Sequence, residues 1–293
     1  MTEGFTPEKN DQKPRMTTEE WKAMKDKEKA DVYSLLDKTT QELAEMPGSF
    51  ERYLDTQARM NRYTASNALL ISAQFPEATK LRTFAEWEAE GAIIKKGSKS
   101  IAILEPSEFQ KSDGSKMVVY NVKKVFDISQ TSKENEARAN RTPDLKNLIA
   151  AMLDTCPVSI DLATEIPAQN TAAYFNKDQN TLYVQKEGGD ASYVCQCVAR
   201  ELGQVEASRN SEDYDRNNSF ADAVITGYLI CRRYGAPTDA LDIRKALSVF
   251  KGLDAKSVRK ELGRIRSYAY DINYNISTKL YQSKAPRSRG SER

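Results

Sequence analysis

The chain has 293 residues with 29% charged side chains and a formal net charge of +2 at pH 7. This length can supply the cores of two modest domains. The low net charge excludes a chain that is basic overall, so a nucleic-acid site would have to be a local patch. The chain contains no histidine, which excludes Ser-His-Asp triads, Cys-His dyads and histidine-ligated zinc.

Membrane and disulfide signals are weak in this sequence. Its apolar runs are much shorter than the roughly 18 residues that a membrane helix needs, and its N-terminus lacks the apolar segment of a secretory signal. The cysteines show no CxxC spacing and are better explained as buried thiols. We therefore expect a cytoplasmic protein that does not interact with membranes. The cysteines are Cys156, Cys195, Cys197 and Cys231.

Residues 1–16 are polar and are predicted to form a disordered tail. From Thr17 onward, apolar residues recur at a spacing of about 3.6, which predicts a helix. Pro47-Gly48 predicts its end, and Ser49 is the expected N-cap of the next helix. The apolar positions of the first helix are Trp21, Met24, Val32, Leu35, Leu36, Leu43 and Met46. Those of the second are Phe50, Tyr53, Leu54 and Ala58.

A third helix is predicted over residues 66–74. Thr83 and Glu86 fit a capping box, which predicts a short fourth helix that stops near Gly91. The apolar period then changes from that of a helix to that of a strand. Strands are predicted at 101–104 and 117–128, and a lysine-rich hairpin turn is predicted at 95–99.

These patterns predict an α+β fold in two domains. The first, residues 17–131, has helices packed on a small antiparallel sheet, and a charged linker follows at 132–143. The second, residues 144–283, is mostly helical with a short sheet, and residues 284–293 form a basic disordered tail. Its strands are predicted near 172–175 and 181–184, and its main helices at 191–207, 219–234 and 255–282.

Four segments carry a resemblance to a known family. They are RYTASNALLI at 62–71, AQFPEAT at 73–79, IKKGSKSIAIL at 94–104 and VFDISQT at 125–131. With them, residues 49–131 resemble the N-terminal domain of ArdC-type antirestriction proteins, which also occurs in LtrC-like proteins of mobile elements. The resemblance implies binding of single-stranded DNA, with some duplex binding, during plasmid or conjugative transfer in a bacterial cell.

Single-strand binders combine cations that follow the phosphates with aromatic rings on which bases stack. Phe84 and Trp87, three residues apart on a helix, fit inward packing better than stacking. The lysine turn fits a solvated hairpin tip as well as a phosphate contact. The candidate DNA-binding residues are Arg59, Arg62, Tyr63, Asn67, Trp87, Lys95, Lys96, Lys99 and Lys123.

Residues 171–250 resemble the zincin-like domain that follows in this family. Zincins carry HExxH on one helix, where two histidines hold zinc and the glutamate is the general base. The resemblance places Arg200 and Gln204 at the histidine positions and Glu201 at the base position. Val224 falls where a later helix supplies an acidic ligand, and a shift of two residues would place Asp222 there.

Ligand chemistry then argues against a metal. Arginine stays protonated, and a glutamine amide is a poor zinc ligand. We therefore expect a pseudo-metallopeptidase without cofactor or catalytic residue, in which Glu201 is a relic. Because adjacent helix positions do not face each other, we expect Arg200 to pair with Asp222 across helices rather than with Glu201.

Three functional hypotheses follow. The first is a DNA-binding accessory protein of a plasmid, phage or conjugative element. The second is an antirestriction or anti-defence protein that acts on a host restriction or conjugation protein. The third is a hydrolase with a metal site that uses no histidine.

Overall fold

The computed structural model describes residues 16–110, 114–136, 144–187 and 189–282. The first part of the chain holds helices α1 Thr18–Glu45, α2 Pro47–Arg59, α3 Ala65–Gln74 and α4 Phe84–Ala89. Its strands are β1 Leu81–Arg82, β2 Ile101–Gln110 and β3 Lys116–Asp127, and 3-10 turns follow at Ile128–Gln130 and Glu134–Glu136. The predicted tails and most of the predicted linker lie outside the described residues.

The second part holds α5 Leu145–Asp154, α6 Ala191–Arg209, α7 Phe220–Arg233, α8 Ile243–Leu247 and α9 Ala255–Gln282. Its strands are β4 Ser159–Ala163, β5 Ala173–Asn176 and β6 Thr181–Gln185, and a 3-10 turn covers Ser248–Phe250. The predicted α+β class is confirmed, while β1, β4 and α8 lacked a sequence signal strong enough to predict them.

The described residues form two small sheets. In the first, β3 lies between β1 and β2, and both pairings are antiparallel. Ile103 pairs with Lys123 and Ala102 with Lys124, so the two lysines point to opposite faces. In the second, β6 pairs parallel to β4 and antiparallel to β5.

Helix starts follow local chemistry, with one exception to the prediction. Thr83 and Glu86 form the predicted capping box of α4, and Gly91 follows that helix with a φ of 70°. The first helix ends at Glu45, next to Pro47-Gly48 as predicted. The predicted N-cap Ser49 is wrong, because Met46 is the N-cap and Pro47 is the first residue of α2, a position where its fixed φ fits and its missing N–H costs no hydrogen bond.

Helix α1 is covered only along its second half. Val32, Leu36 and Leu43 are buried. Trp21 and Met24, which belong to the same apolar pattern, are 53% and 43% exposed. The described residues therefore leave an apolar stretch of the first turns open to solvent.

The two parts of the chain share a hydrophobic core. A buried cluster extends from Val32 in α1 to Ile276 in α9. The rings of Phe50 and Phe250 meet edge to face at 5.8 Å. Helix α2 thus packs on elements of the second part, and the predicted domain boundary does not separate two cores.

Helices α6 and α7 approach each other closely through glycine. A Cβ built on Gly203 would lie 2.7 Å from the Cα of Ala223, and one on Gly227 would lie 2.9 Å from the Arg200 nitrogen. Because both neighbours are backbone atoms, a larger side chain at either glycine would force the helices apart. In the described ranges, no helix is long and apolar enough to cross a membrane.

Candidate functional site

An open groove of about 560 Å³ lies between the α2–α3 connection and strand β1. Its lining also includes the last residue of α7, which belongs to the second part of the chain. Among the described residues, five cationic side chains and no carboxylate line this basic groove. The five are Arg59, Arg62, Lys80, Arg82 and Arg233.

Internal hydrogen bonds fix the wall of the basic groove. The Arg59 guanidinium donates to the Ala78 carbonyl at 3.3 Å and to the Pro76 carbonyl. From α9, Arg266 donates to the Asn61 carbonyl at 2.7 Å. Arg62, on the held segment, is exposed. Arg59 therefore shapes the wall, while Arg62 extends to solvent.

Lys80 and Arg82 are joined by one carboxylate and one aromatic ring. Glu90 accepts from Lys80 Nζ at 3.1 Å and from Arg82 Nη2 at 2.5 Å. The two cations also lie 4.9 and 5.9 Å from the Trp87 ring. One carboxylate neutralises only part of the charge of two cations. The groove therefore keeps a surplus of positive charge.

Two arginines that line the basic groove each have a buried nitrogen without a partner among the described residues. The Nε atoms of Arg82 and Arg233 are buried and make no hydrogen bond among the described residues. Buried donors are nearly always paired in folded proteins. The Nε of Arg266, outside the groove lining, is in the same state, so these buried donors do not by themselves indicate a ligand.

Tyr63 lines the same groove and packs against the buried side chains of a small second cluster. Burial raises the pKa of its phenol, and the charge of Lys123 opposes that rise. Lys123 donates to Glu105 at 2.6 Å, and this hydrogen bond raises the pKa of the lysine. The structure thus brings four predicted residues, Arg59, Arg62, Tyr63 and Lys123, into one region.

Two predicted site residues are structural instead. The Asn67 amide donates to the Leu104 carbonyl and accepts from the Leu104 N–H, both at 2.8 Å. Trp87 is fully buried and donates to the Phe126 carbonyl at 2.9 Å. Neither side chain is free to bind DNA, which corrects both assignments. Phe84, expected to be buried, is 58% exposed.

The lysine turn lies apart from the groove lining. Ser98 donates to the Lys95 carbonyl at 3.1 Å and Gly97 has a φ of 87°, so the predicted turn is present. It is not a hairpin tip, because Ile94 bridges to Thr131 while β2 pairs with β3. Lys95 pairs with Glu134 and donates to the Ser129 carbonyl at 3.0 Å. Lys96 and Lys99 are exposed.

The groove residues Lys80, Arg82 and Arg233 were not predicted from the sequence. Alternation could have pointed to the first two, because residues two apart in an extended segment face the same side. Arg233 is distant in sequence, and its place in the groove depends on the packing of α7 against α2.

On α6, Glu201 is fully buried and completely hydrogen-bonded. Its Oε1 accepts from Arg200 at 3.0 Å and from Arg216 at 2.7 Å, and its Oε2 accepts from the Phe175 N–H at 3.0 Å. The Arg216 guanidinium also stacks over the Tyr174 ring at 4.5 Å. We call Arg200, Glu201 and Arg216 the α6 cluster.

The expected Arg200–Asp222 pair is wrong. The long Arg200 side chain turns back to its neighbour Glu201, whereas Asp222 pairs with Arg264 of α9 at 2.5 and 2.8 Å. Gln204 accepts from the Tyr214 hydroxyl at 2.9 Å and donates to the Arg216 carbonyl at 3.2 Å. Gln204 therefore anchors the loop that carries Arg216.

The α6 cluster does not fit a metal ion. Two guanidinium groups take the carboxylate oxygen that a cation would need, and Val224 offers no ligand atom. In the part of the chain that the structure describes, no group of three or more His, Cys, Asp or Glu side chains could hold a metal ion.

The chain is similar to known proteins in the sequence of its first part and in its fold. Residues 14–148 match the family model of the N-terminal domain of anti-restriction factor ArdC. The metal-free crystal structure of antirestriction protein ArdC from plasmid R388 matches with a TM-score of 0.55 and 14% identity, over 85% of this chain and 98% of that chain. Its Mn(II)-bound structure gives 0.57 and 13%, over 87% and 99%. These matches show a shared fold. No curated protein matches the chain.

Proposed function

The chain has an ArdC-type N-terminal domain and shares the fold of ArdC from plasmid R388, and on this premise we propose that it binds DNA through the basic groove. We further propose that it prefers single strands and serves a plasmid, phage or conjugative element, as the family resemblance implies. The observation that carries the proposal is the lining of the groove by five cations without a carboxylate among the described residues.

Electrostatics support a polyanionic ligand. Several cations on one concave surface repel one another, and a phosphate backbone relieves that repulsion while releasing its counterions. Arg62 is exposed, and Arg82 and Arg233 line the same groove. The whole-chain charge of +2 is compatible with this, because the positive charge is local.

Aromatic placement supports the preference for single strands. Bases stack on aromatic rings only when they are unpaired. Tyr63 lines the groove, and Phe84 is exposed two residues after Arg82. These two rings replace Trp87 as the candidates for base contact.

Fluorescence anisotropy with single- and double-stranded oligonucleotides of equal length tests the proposal. We expect salt-sensitive binding that is tighter for the single strand. The double variant Arg62→Ala/Arg82→Ala should lower the slope of log K against log salt by about 1.4, since each lost single-strand phosphate contact removes about 0.7. Removing two exposed α1 lysines, Lys22→Ala/Lys38→Ala, is the matched control. Absence of binding at low salt would overturn the proposal.

The same assay tests whether the lysine turn at residues 95–99 contacts DNA. Lys96→Ala/Lys99→Ala removes two exposed cations outside the groove lining. Weaker binding would show that the strand reaches the turn. Unchanged binding would show that the turn does not contact the DNA.

For the second part of the chain we propose a zincin-like fold that has lost its metal chemistry. ArdC of plasmid R388 has been crystallised with Mn(II), whereas two guanidinium groups surround Glu201 here. Calorimetric titration with Mn²⁺ and Zn²⁺ should give no stoichiometric binding. Binding of one equivalent that Glu201→Gln abolishes would contradict the proposal and favour a hydrolase.

A protein partner is the second candidate function. The ribbon formed by β2 and β3 carries exposed apolar side chains, among them Phe109 at 58% and Met117 at 40%, which pair across the two strands and so share one face. An isolated two-stranded ribbon is only marginally stable in water, so these side chains favour a protein contact. A host complex that survives nuclease treatment and is lost in Phe109→Ser/Met117→Ser would support this function.

A further inference from the structure

We propose that a single strand bound in the basic groove continues onto helix α9, where tyrosine rings stack its bases. The rings are those of Tyr270, Tyr274 and Tyr281, which we call the tyrosine face. This inference rests on the proposed function and deepens it, because it assigns base contacts to the second part of the chain, outside the groove lining.

The tyrosine face follows one side of α9. Each residue advances an α-helix by about 100°, so Tyr274 and Tyr281 lie only about 40° and 20° around from Tyr270. At a rise of about 1.5 Å per residue, the three positions extend over about 16 Å. Tyr274 is 63% and Tyr281 is 79% exposed, while Tyr270 is half-buried. A ligand can therefore reach the outer two rings without any rearrangement of the fold.

The tyrosine face begins where α9 contacts the basic groove. Arg266 donates to the carbonyl of Asn61 at 2.7 Å, and Asn61 lines the groove. The same guanidinium lies 4.4 Å from the centroid of the Tyr270 ring. Asn273 of α9 also contacts Asn61, through amide atoms 3.5 Å apart. One side chain, Arg266, thus joins the groove lining to the first ring of the tyrosine face.

The distribution of charge indicates which side of the rings the phosphates occupy. Asp271 is exposed and lies about 100° around α9 from Tyr270, where its carboxylate repels phosphate. Arg266 lies about 40° around in the opposite direction, toward Asn61. Arg62, next to Asn61, is an exposed cation. A strand with its backbone on the Asn61 side and its bases over the rings satisfies both constraints.

Packing holds α9 in place beneath the tyrosine face. Ile272 and Ile276, on the inner side of the helix, are buried. Near the end of α9, Lys279 pairs with Asp154 of α5 at 2.9 Å. Because the helix is already fixed, binding has only side chains to order, which lowers its entropic cost. Stacking on aromatic rings is also tolerant of base sequence, as expected for a strand without a fixed sequence.

The length of the oligonucleotide separates the tyrosine face from the groove. We compare single-stranded oligothymidylates of about 6 and about 20 nucleotides by fluorescence anisotropy with the full chain. Loss of one stacked base weakens binding about fivefold or more. Tyr274→Leu/Tyr281→Leu should therefore bind the long strand about ten- to thirtyfold more weakly and the short strand about equally. The salt slope should not change, because no phosphate contact is removed.

Two further variants are matched controls. Tyr274→Phe/Tyr281→Phe keeps both rings, so it should bind the long strand about as tightly as the wild type. Tyr120→Leu removes a tyrosine that is 44% exposed in β3, far along the chain from α9, and should leave the affinity for both strands unchanged. Circular dichroism and thermal melting identify any variant that fails to fold.

The outcomes distinguish the two proposals. A wild type that binds neither strand overturns the proposed function. If the wild type binds both and Tyr274→Leu/Tyr281→Leu binds the long strand equally well, the groove stands and the tyrosine face is overturned as a DNA contact. Equal weakening for the short and the long strand also overturns it, since the substitutions would then act on the groove itself. Weakening by Tyr120→Leu to the same extent has the same consequence.

Discussion

The basic groove and the α6 cluster use arginine in opposite ways. In the α6 cluster, two guanidinium groups converge on one fully buried carboxylate. In the groove, positive side chains converge without a carboxylate among the described lining residues, and two buried Nε donors lack partners. The charges of the first arrangement are paired within the fold, and the second keeps an excess of positive charge that an anion could neutralise.

This difference separates structural charge from binding charge better than composition does. A buried ion pair contributes little net stability but becomes costly when one partner is removed. An unpaired cationic groove weakens the fold through self-repulsion but can bind a polyanion. Substitutions in the α6 cluster should therefore change stability, and substitutions in the groove should change affinity.

The largest expected effect is in the α6 cluster. Glu201→Ala leaves Arg200 and Arg216 without their shared counter-charge and the Phe175 N–H without its acceptor. We expect a loss of about 3 to 5 kcal/mol in the free energy of unfolding, measured by urea denaturation. Glu201→Gln, which keeps an acceptor, should lose less. DNA affinity of the folded protein should not change, and a large change in it would contradict the division between the two regions.

The second-largest effect on stability is expected at Gly227, where α7 packs closely against α6. Gly227→Ala would place a Cβ 2.9 Å from the Arg200 nitrogen, so we expect a loss of about 1 to 3 kcal/mol through overpacking. Gly263→Ala in α9 is the control, because a Cβ there meets no atom within 4 Å. It should stabilise the helix by about 0.5 to 1 kcal/mol. Equal thermal shifts in both variants would refute the close approach of α6 and α7.

The contact between α2 and α7 should depend on pH. Burial would raise the pKa of Asp55, but hydrogen bonds from Arg232 and Tyr228 outweigh it and lower the pKa below 3.8. The charged form therefore contributes stability above pH 3.8, and this contribution is lost as the pH falls through the lower folded value. At neutral pH, Asp55→Asn should cost about 1.5 kcal/mol. Urea unfolding should show the gap from wild type closing in acid, and a constant gap would contradict the assignment.

The smallest effect is expected at the edge of the groove. Glu90→Gln removes the carboxylate that Lys80 and Arg82 share. Two partly neutralised cations become available to phosphate, so single-strand affinity should rise about two- to threefold. Glu88→Gln makes the same charge change on the same helix at an exposed position. An equal rise in affinity in both variants would mean that binding depends only on the net charge of the protein.

Local patterns were sufficient for much of the fold. Phe50, Tyr53 and Leu54 recur at helical spacing and are buried in α2, and the capping box at Thr83 starts α4. These features depend on residues a few positions apart. Trp21 lies on the same helical spacing as Val32 but is exposed, because periodicity describes an apolar face without showing what covers it.

The candidate site depended on contacts that no local pattern carries. Asn67 bonds to Leu104, 37 residues further along the chain, with both of its amide atoms, which a polar position on a helix does not reveal. Arg216 reaches Glu201 from a loop without periodicity. Arg233 joins the groove only because α7 packs on α2, so sequence proximity found Arg62 and missed Arg233.

The two parts of the chain share one core, in which Phe50 contacts Phe250. The groove and the α6 cluster are therefore expected to unfold together. A ligand that binds only the folded chain stabilises all of it, by about 2.7 kcal/mol at a free concentration of 100 Kd. Amide protons of α6 that open only through global unfolding should then exchange with solvent more slowly when DNA fills the groove. The exchange rate of α6 would thus report DNA binding in the groove, although α6 itself does not contact the DNA, because the fold unfolds cooperatively.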